Sequence, residues 1–583
     1  MYRAAFKPPF LRLVTPFSYA RLAVKFWPFY TSATLMMGSW LAANHYQPWV
    51  TAHSEFLAAL ALTAVSFGAL VANRKLRVDA PTSARLLFTL ALIPLLQTAT
   101  SQVFFVGDAW IAALYLGATG VAVVASTRAT VVVGPGFVAG FAMTLLAGAV
   151  LSTLVAFAQQ FETDTGLLSL YIAQVRPGGR PFANLAQPNQ LASLIGIGLG
   201  GLFLLFERRK LSAGVAVFVA VLLTVSLAMT QSRTAVLFFI VVGGALVLAR
   251  RRLSLRTPAW VIGALAALWG AAFVAWPSLI RWLLLPQAES FSKRIQPGGR
   301  SLIWNQLREA AWQRPWTGYG WNQVSVAQVA VAADFPPTEF VEHSHNLVLD
   351  LLLWNGIPIG LAVIGVGVIW LWRRTRRARD AESLFGLFVI AVLLCHAMVE
   401  FPLDYLYFLV PFGAAIGVVE AFSGASTSSV STRVGWIATS VVSGVTVFAA
   451  IDYWHVEESF RDMRFAVARI GRPMSGDEPT PLITQFTQLA AFRRFSLSMP
   501  RTAMSAEELE SMRQIVHRYP YAPSLYRYAL AQGLNRDLAG AKLTLRQLKQ
   551  MHGEAPYANG QQELKQLAAD QYPQLRALVS VDE

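Results

Sequence analysis

Two imidazoles one residue apart open the case for chemistry. Glu342-His343-Ser344-His345-Asn346 stands directly before a long apolar run. Histidine exchanges a proton near neutral pH, so at such a boundary it suits deprotonation of a hydroxyl. The same residues also read as a polar loop end bonded to backbone, or as two ligands of a metal. No further Cys or His cluster lies in the external loops, which weakens the metal reading; general base, loop end and metal rank in that order, none dominant. Isolated arginines form a second set. Arg233 lies in Thr230-Gln231-Ser232-Arg233-Thr234, a short turn between two apolar runs, where a cation either snorkels to the interface or has a function. Arg300 follows Pro297-Gly298-Gly299 and opens SLIWNQLREAAW, an amphipathic stretch suited to lying along a membrane surface. Arg180 follows Pro177-Gly178-Gly179, and taken singly Arg180 and Arg300 are equally well solvated charges.

Two amide- and carboxylate-bearing segments complete the inventory. In Asn184-Leu185-Ala186-Gln187-Pro188-Asn189-Gln190, Pro188 suits the first turn of a helix, whose free N–H groups make an anion-binding end. Asn184, Gln187 and Asn189 would add neutral donors there, although simple helix capping is the commoner use of such residues. In His396-Ala397-Met398-Val399-Glu400-Phe401-Pro402-Leu403-Asp404, His396 and Glu400 share one helix face. A structural His396–Glu400 pair is the favoured reading, and a Glu400 that orients a catalytic group is the sharper one. Arginine forks suit phosphate or diphosphate. With a histidine beside them, these residues suggest a substrate with a phosphate leaving group.

The elements that must position these residues are membrane helices. The 583 residues are 55% hydrophobic and only 14% charged. About thirteen apolar runs of bilayer-spanning length lie near 27–44, 54–73, 84–99, 109–126, 131–157, 190–206, 211–229, 234–249, 258–283, 346–372, 383–399, 405–422 and 434–451. They are continuously apolar rather than alternating, which argues against a transmembrane β-barrel. The run at 258–283 contains Pro277 and is expected to kink or end early. No cleavable signal peptide is evident, so the first run reads as a retained anchor, and the single Cys395 reads as a small buried apolar residue.

The net charge of +16 is not a nucleic-acid signature, because it is dispersed in short clusters between apolar runs. Alternate connections carry Arg74-Lys75-Leu76-Arg77, Arg128, Arg208-Arg209-Lys210, Arg250-Arg251-Arg252 and Arg373–Arg377, whereas 45–53, 100–108 and 400–404 carry no Lys or Arg. The positive-inside rule puts the basic connections and the N-terminus in the cytoplasm. All the chemical candidates then fall on the opposite face. The expected fold is all-α: a polytopic transmembrane bundle over 1–451, with large external loops at 158–189 and 284–345. A helical external domain follows over 452–583. Its stretch PSLYRYALAQGLNRDLAGAKLTLRQLKQM resembles one tetratricopeptide-like unit.

These motifs together resemble the bacterial O-antigen ligase superfamily, and within it the protein O-oligosaccharyltransferases that glycosylate pilins and other exported proteins. The resemblance rests on NLAQPNQLA at 184–192, TQSRTA at 230–235, GGRSLIW at 298–304, PWTGYGWNQ at 315–323, EHSHNLVLDLLLWNGIPIG at 342–360 and HAMVEFPLDY at 396–405. NLAQPNQ and HAMVEFPL look more like the protein-glycosylating branch than the lipopolysaccharide ligases; residues 1–130 contribute hydrophobicity alone. The resemblance implies a multi-pass protein of the bacterial inner membrane. It implies transfer of a glycan from undecaprenyl diphosphate to Ser or Thr hydroxyls of an exported protein in the periplasm, without cofactor or metal. By motif, His345 falls on the catalytic base and Arg233 and Arg300 on the diphosphate-binding arginines. His343, Asn346, Arg180, Asn184, Gln187, Asn189 and Glu400 fall in supporting places. The alternatives are an O-antigen ligase acting on lipid A-core, an O-antigen polymerase and, from another class, a transporter or flippase. The last would need ionisable residues in mid-span and internal repeats, and the charges here sit at span ends.

Overall fold

A computed structural model of the chain describes residues 16–73, 77–161, 166, 170–176, 178–185, 187–285, 299–424, 427–468 and 482–579. The sequence features at 74–76, Pro177, Ala186 and Pro297-Gly298 lie outside the described residues. Each apolar run is helical. In order they are α1 (Pro16–Leu41), α2 (Ala52–Ala72), α3 (Thr82–Leu90) with α4 (Leu92–Ala99), α5 (Val106–Val133), α6 (Pro135–Gln160), α7 (Pro188–Glu207), α8 (Ala213–Met229), α9 (Thr234–Ala249) and α10 (Ala259–Trp282). Then come α11 (Gly299–Gln313) and α12 (Val324–Ala332) outside the bundle, followed by α13 (Leu347–Arg377), α14 (Ala381–Ala397), α15 (Leu406–Phe422) and α16 (Thr432–Val467). Among the described residues, eight are long and apolar enough to cross a membrane: α2, α3–α4, α5, α6, α7, α10, α13 and α16. The chain is an all-α, multi-pass membrane protein. Among the described residues its one sheet is an antiparallel pair, β1 (Val78–Pro81) with β2 (Thr427–Val430).

Small residues let the helices meet closely, as interfaces in lipid require. Gly413 and Gly417 of α15 lie one turn apart against α5, and a Cβ on either would come within 2.7 Å of Thr119 O or 2.5 Å of Val123 O. α10 stays helical through Pro277, contrary to the expected early end.

Contacts sort the connections to two ends of the bundle. At one end Arg208 pairs with Glu382, and Arg374 with Glu420, which also accepts from Trp370 Nε1 and Ser83 Oγ. Arg128, expected as a loop charge, is instead buried within α5. Its guanidinium donates to Ala69 O, Arg77 O and Asn73 O at 2.9, 2.7 and 2.6 Å, satisfying carbonyls at the open end of α2. At the other end the residues before α2, α5, α7, α13 and α15 meet one another and the C-terminal helices.

α13 is broken. Gly356 takes φ 76° and ψ 168°, and Pro358 follows it. The turn Pro315-Trp316-Thr317-Gly318-Tyr319-Gly320 fills the gap. Tyr319 N donates to Leu353 O at 2.7 Å and Ile357 N to Pro315 O at 2.6 Å, while Gln97 of α4 donates to Trp354 O at 2.8 Å. The groups orphaned by the break are thereby satisfied. A Cβ at Gly318 would lie 2.4 Å from Leu353 O, and one at Gly356 2.5 Å from Trp316 O. The external α11–α12 unit is thus keyed into the membrane bundle. The surface-lying role expected for the apolar face of α11 is not what this face does: Ile303, Leu307, Ala310 and Ala311 are buried against Tyr319, Val324 and Val331.

The expected boundary at 451/452 falls inside α16, which continues to Val467. Beyond it lie α17 (Thr487–Leu497), α18 (Ala506–Arg518), α19 (Ala522–Leu534), α20 (Leu538–His552) and α21 (Glu554–Asp570). The tetratricopeptide-like stretch is the α19–α20 hairpin. These helices share a core with Val329 and Ala332 of α12, and Arg518 makes a two-bond ion pair with Asp108 at the start of α5.

Candidate active site

The carboxylate of Glu400 is the point of convergence. It stands on the turn after α14, is 5% exposed, and receives donors from three other places in the chain. Arg300, in the first turn of α11, reaches Oε1 at 2.5 Å, and Asn189 of α7 reaches it at 3.1 Å. His345 Nδ1 lies 2.8 Å from Oε2, with Gln187 Nε2 at 3.4 Å. A buried carboxylate needs this many donors to stay ionised. Burial alone would raise its proton affinity, but the His345 hydrogen bond and charge, then Arg300 and His396, outweigh it and hold the carboxyl at about 2.

Capping, the commoner reading of Gln187 and Asn189, is not their use: neither side chain caps α7, and both amides go to Glu400. Asn184 does something else. Fully buried, it donates to Leu41 O and Tyr171 O and accepts from Ala173 N, which ties loops together away from Glu400. The favoured His396–Glu400 pair is also replaced. His396 Nδ1 lies 2.6 Å from Ser193 Oγ, while Glu400 turns to His345 and Arg300.

His345 is held in an unusual backbone conformation, φ 56°, which a non-glycine residue adopts only when its surroundings impose it. Its neighbours are pinned on both sides. Ser344 N donates to Asp350 Oδ1 at 2.9 Å, Ser344 O accepts from Trp304 Nε1 at 2.8 Å, and Asn346 caps α13 through Leu349 N. With Nδ1–H donated to Glu400, Nε2 is the basic nitrogen, and among the described residues it has no partner. Upstream, Gln328 of α12 donates to Glu339 O and accepts from Val341 N, so its amide braces the segment that leads into the histidines.

His343 makes a second, separate pairing. Its ring stacks on Phe401 at 4.4 Å, and its Nδ1 is 3.3 Å from Asp404 Oδ2. Burial lowers the proton affinity of His343, against the opposing charges of Asp350 and Glu342, and burial raises Asp404 to about 7. Phe401 also meets His345 edge-on at 5.2 Å, so one aromatic ring separates the two imidazoles' carboxylates.

Arg233, at the start of α9, is exposed and, among the described residues, has no hydrogen bond or ion pair to its guanidinium. Arg180 donates to Gln231 O at 3.4 Å, which brings its loop onto the turn that carries Arg233. Sequence reasoning missed Trp304, Phe401 and Gln328. Trp304 was detectable, since it follows Arg300 by one helical turn and must share its face. Such a site can position an anion with guanidinium groups and take a proton at His345 Nε2.

The chain is also similar to known families and proteins. The family described as O-Antigen ligase matches residues 218–364, Protein glycosylation ligase matches 181–206, and Virulence factor membrane-bound polymerase, C-terminal, matches 384–566. The chain is 29% identical over 546 residues to the General O-oligosaccharyltransferase of Acinetobacter baylyi, covering 89% of this chain and 92% of that one. It is 32% identical over 275 residues to the ComP-specific O-oligosaccharyltransferase of the same organism, covering 46% and 49%. These matches together support a protein O-oligosaccharyltransferase similar to the O-antigen ligases.

Proposed function

We propose that this enzyme transfers a preassembled glycan from undecaprenyl diphosphate to a Ser or Thr hydroxyl of an exported, pilin-like protein, on the periplasmic side of the bacterial inner membrane. Arg233 and Arg300 grip the diphosphate and stabilise the charge that grows on it as the bond to the sugar breaks. His345 Nε2 takes the acceptor's proton, with Glu400 fixing the ring and its tautomer. The acceptor oxygen forms its bond to the anomeric carbon as the bond from that carbon to the phosphate oxygen breaks. The electron pair leaves on the lipid diphosphate, and the sugar is inverted. No metal enters these steps.

The observation that carries the reading is the convergence of His345 and Arg300 on one buried carboxylate, at the end of the bundle away from the Arg208–Glu382 and Arg374–Glu420 pairs. Supplying the purified protein with a lipid-linked glycan tests it. Glycosylated pilin should appear with wild type and fall by about two to four orders of magnitude with His345→Ala, while His343→Ala is milder. Sugar joined to lipid A-core in place of protein would move the function to an O-antigen ligase. A dead His343→Ala beside a near-normal His345→Ala would reassign the base.

A further inference from the structure

Glu400 holds two basic side chains at once, and one of them is wanted elsewhere. Its Oε1 holds Arg300, and its Oε2 holds His345. The reading above, on which this inference rests, has Arg300 gripping the donor's diphosphate. We propose that Glu400 is an internal competitor for that diphosphate: it occupies Arg300 in the empty site, and donor binding draws Arg300 away and leaves the carboxylate to His345.

The burial of the two partners decides which one moves. The Glu400 side chain is 5% exposed and pinned by the amides of Gln187 and Asn189, whereas the Arg300 side chain is 44% exposed. An incoming anion therefore meets the guanidinium and not the carboxylate. A diphosphate ester carries more charge than a carboxylate and offers oxygens to several N–H groups, so it competes well for a planar fork. Arg233 is not blocked in this way and provides the first grip, with Arg300 the second. Once Arg300 has left, the buried charge on Glu400 must lean on the Nδ1–H of His345 and the amides of Gln187 and Asn189. The other charged or titratable groups around this pair are His396 beneath it, His343 and Glu342 on the histidine loop, Asp350 at the start of α13 and Asp404 beyond Phe401. None of them is placed to take over Oε1 by a hydrogen bond among the described residues. Donor binding thus leaves the carboxylate to His345 without a competing cation, which favours donor before acceptor.

A double-mutant cycle on the full-length protein in detergent separates the possibilities, with undecaprenyl diphosphate, the lipid product, as the probe. Glu400→Gln should bind the probe roughly three- to fivefold more tightly, the scale of a half-exposed ion pair released. The same variant should lose glycan transfer by about 10²-fold or more, because His345 loses its carboxylate. Arg300→Met should weaken binding, and adding Glu400→Gln to it should restore nothing. A merely structural Glu400 would weaken binding and turnover together, and that result overturns the proposal. A binding gain that persists without Arg300 would mean general charge repulsion and overturns it equally. Glu400→Asp keeps the charge but withdraws the carboxylate by one methylene, so it provides the same cycle where Gln folds poorly. Failure of wild type to bind the lipid diphosphate at all would instead sink the donor reading itself.

Discussion

Trp304→Phe is the smallest change that tests how the base is positioned. α11 places Arg300 and Trp304 one turn apart, so the helix that sends a guanidinium to Glu400 also sends an indole N–H to Ser344 O, 2.8 Å away. Phenylalanine keeps the ring and removes only that donor. A hydrogen bond of this kind contributes about 0.5–1.5 kcal/mol net, nearer the top where the carbonyl is left unsatisfied. At about 1 kcal/mol the loop would spend roughly five times longer out of place. His345 needs its surroundings to hold φ at 56°, and a misplacement on the order of 1 Å can cost a reaction about 10²-fold. The expected outcome is therefore a fall in kcat of about 5- to 100-fold, with donor KM within about twofold, because the bonds that hold Arg300 and leave Arg233 free are untouched. Glycosylated acceptor measured against donor concentration gives both constants, and thermal unfolding of the purified variant should shift little. Wild-type kcat, or a rise in KM with kcat unchanged, would refute the reasoning.

Three further outcomes are expected. Arg233→Lys keeps the charge and loses the fork, so donor use should fall sharply at normal membrane abundance, and wild-type transfer by this variant would remove the arginine from the diphosphate site. Gly356→Ala puts a Cβ 2.5 Å from Trp316 O at φ 76°, and should lower the unfolding temperature or the yield of folded protein far more than Gly263→Ala, which meets nothing within 4 Å. Asp404, raised to about 7 by burial, destabilises the fold progressively as pH rises from its unfolded value near 4 and fully above 7; Asp404→Asn should stabilise the protein more at pH 8 than at pH 5, and equal effects at both would contradict the burial.

Much of this site was legible because its chemistry needs rare residues at span ends. Arg300, His345, Gln187, Asn189 and Glu400 stand out against apolar runs, and all five meet. What the sequence could not show is who pairs with whom. The i, i+4 spacing of His396 and Glu400 suggested a pair, but α14 ends at Ala397, so Glu400 lies on the turn beyond and faces the histidine loop. Arg128 looked like a loop charge because its burial depends on α2 ending beside it, a tertiary fact. The apolar stripe of α11 was compatible with lipid or with protein, and periodicity cannot choose between them. The 451/452 boundary was drawn where hydrophobicity fades, yet a helix crosses the interface without any backbone signal.

The broken helix gives these fragments one cause. An unbroken helix through residue 377 would satisfy its own carbonyls and leave α11–α12 attached only by chain ends. Interrupting it at Gly356 frees Leu353 O and Ile357 N, and both are taken up by the Pro315–Tyr319 turn. The unit that carries Arg300 is thereby bonded to the helix whose first residues follow His345, and Trp304 closes the ring through Ser344. Arg300 and His345 therefore belong to one braced body. Arg233 stands on the α8–α9 turn, whose Gln231 donates to Phe273 O of α10 and accepts from Arg180. The two arginines proposed to share one diphosphate are thus held by different bodies, and their separation is the dimension of the site least fixed by bonding. Binding energy from the diphosphate can set that dimension, whereas the helix that carries Arg300 and the loop that carries His345 are already bonded to each other, so that only the Arg300 side chain need move.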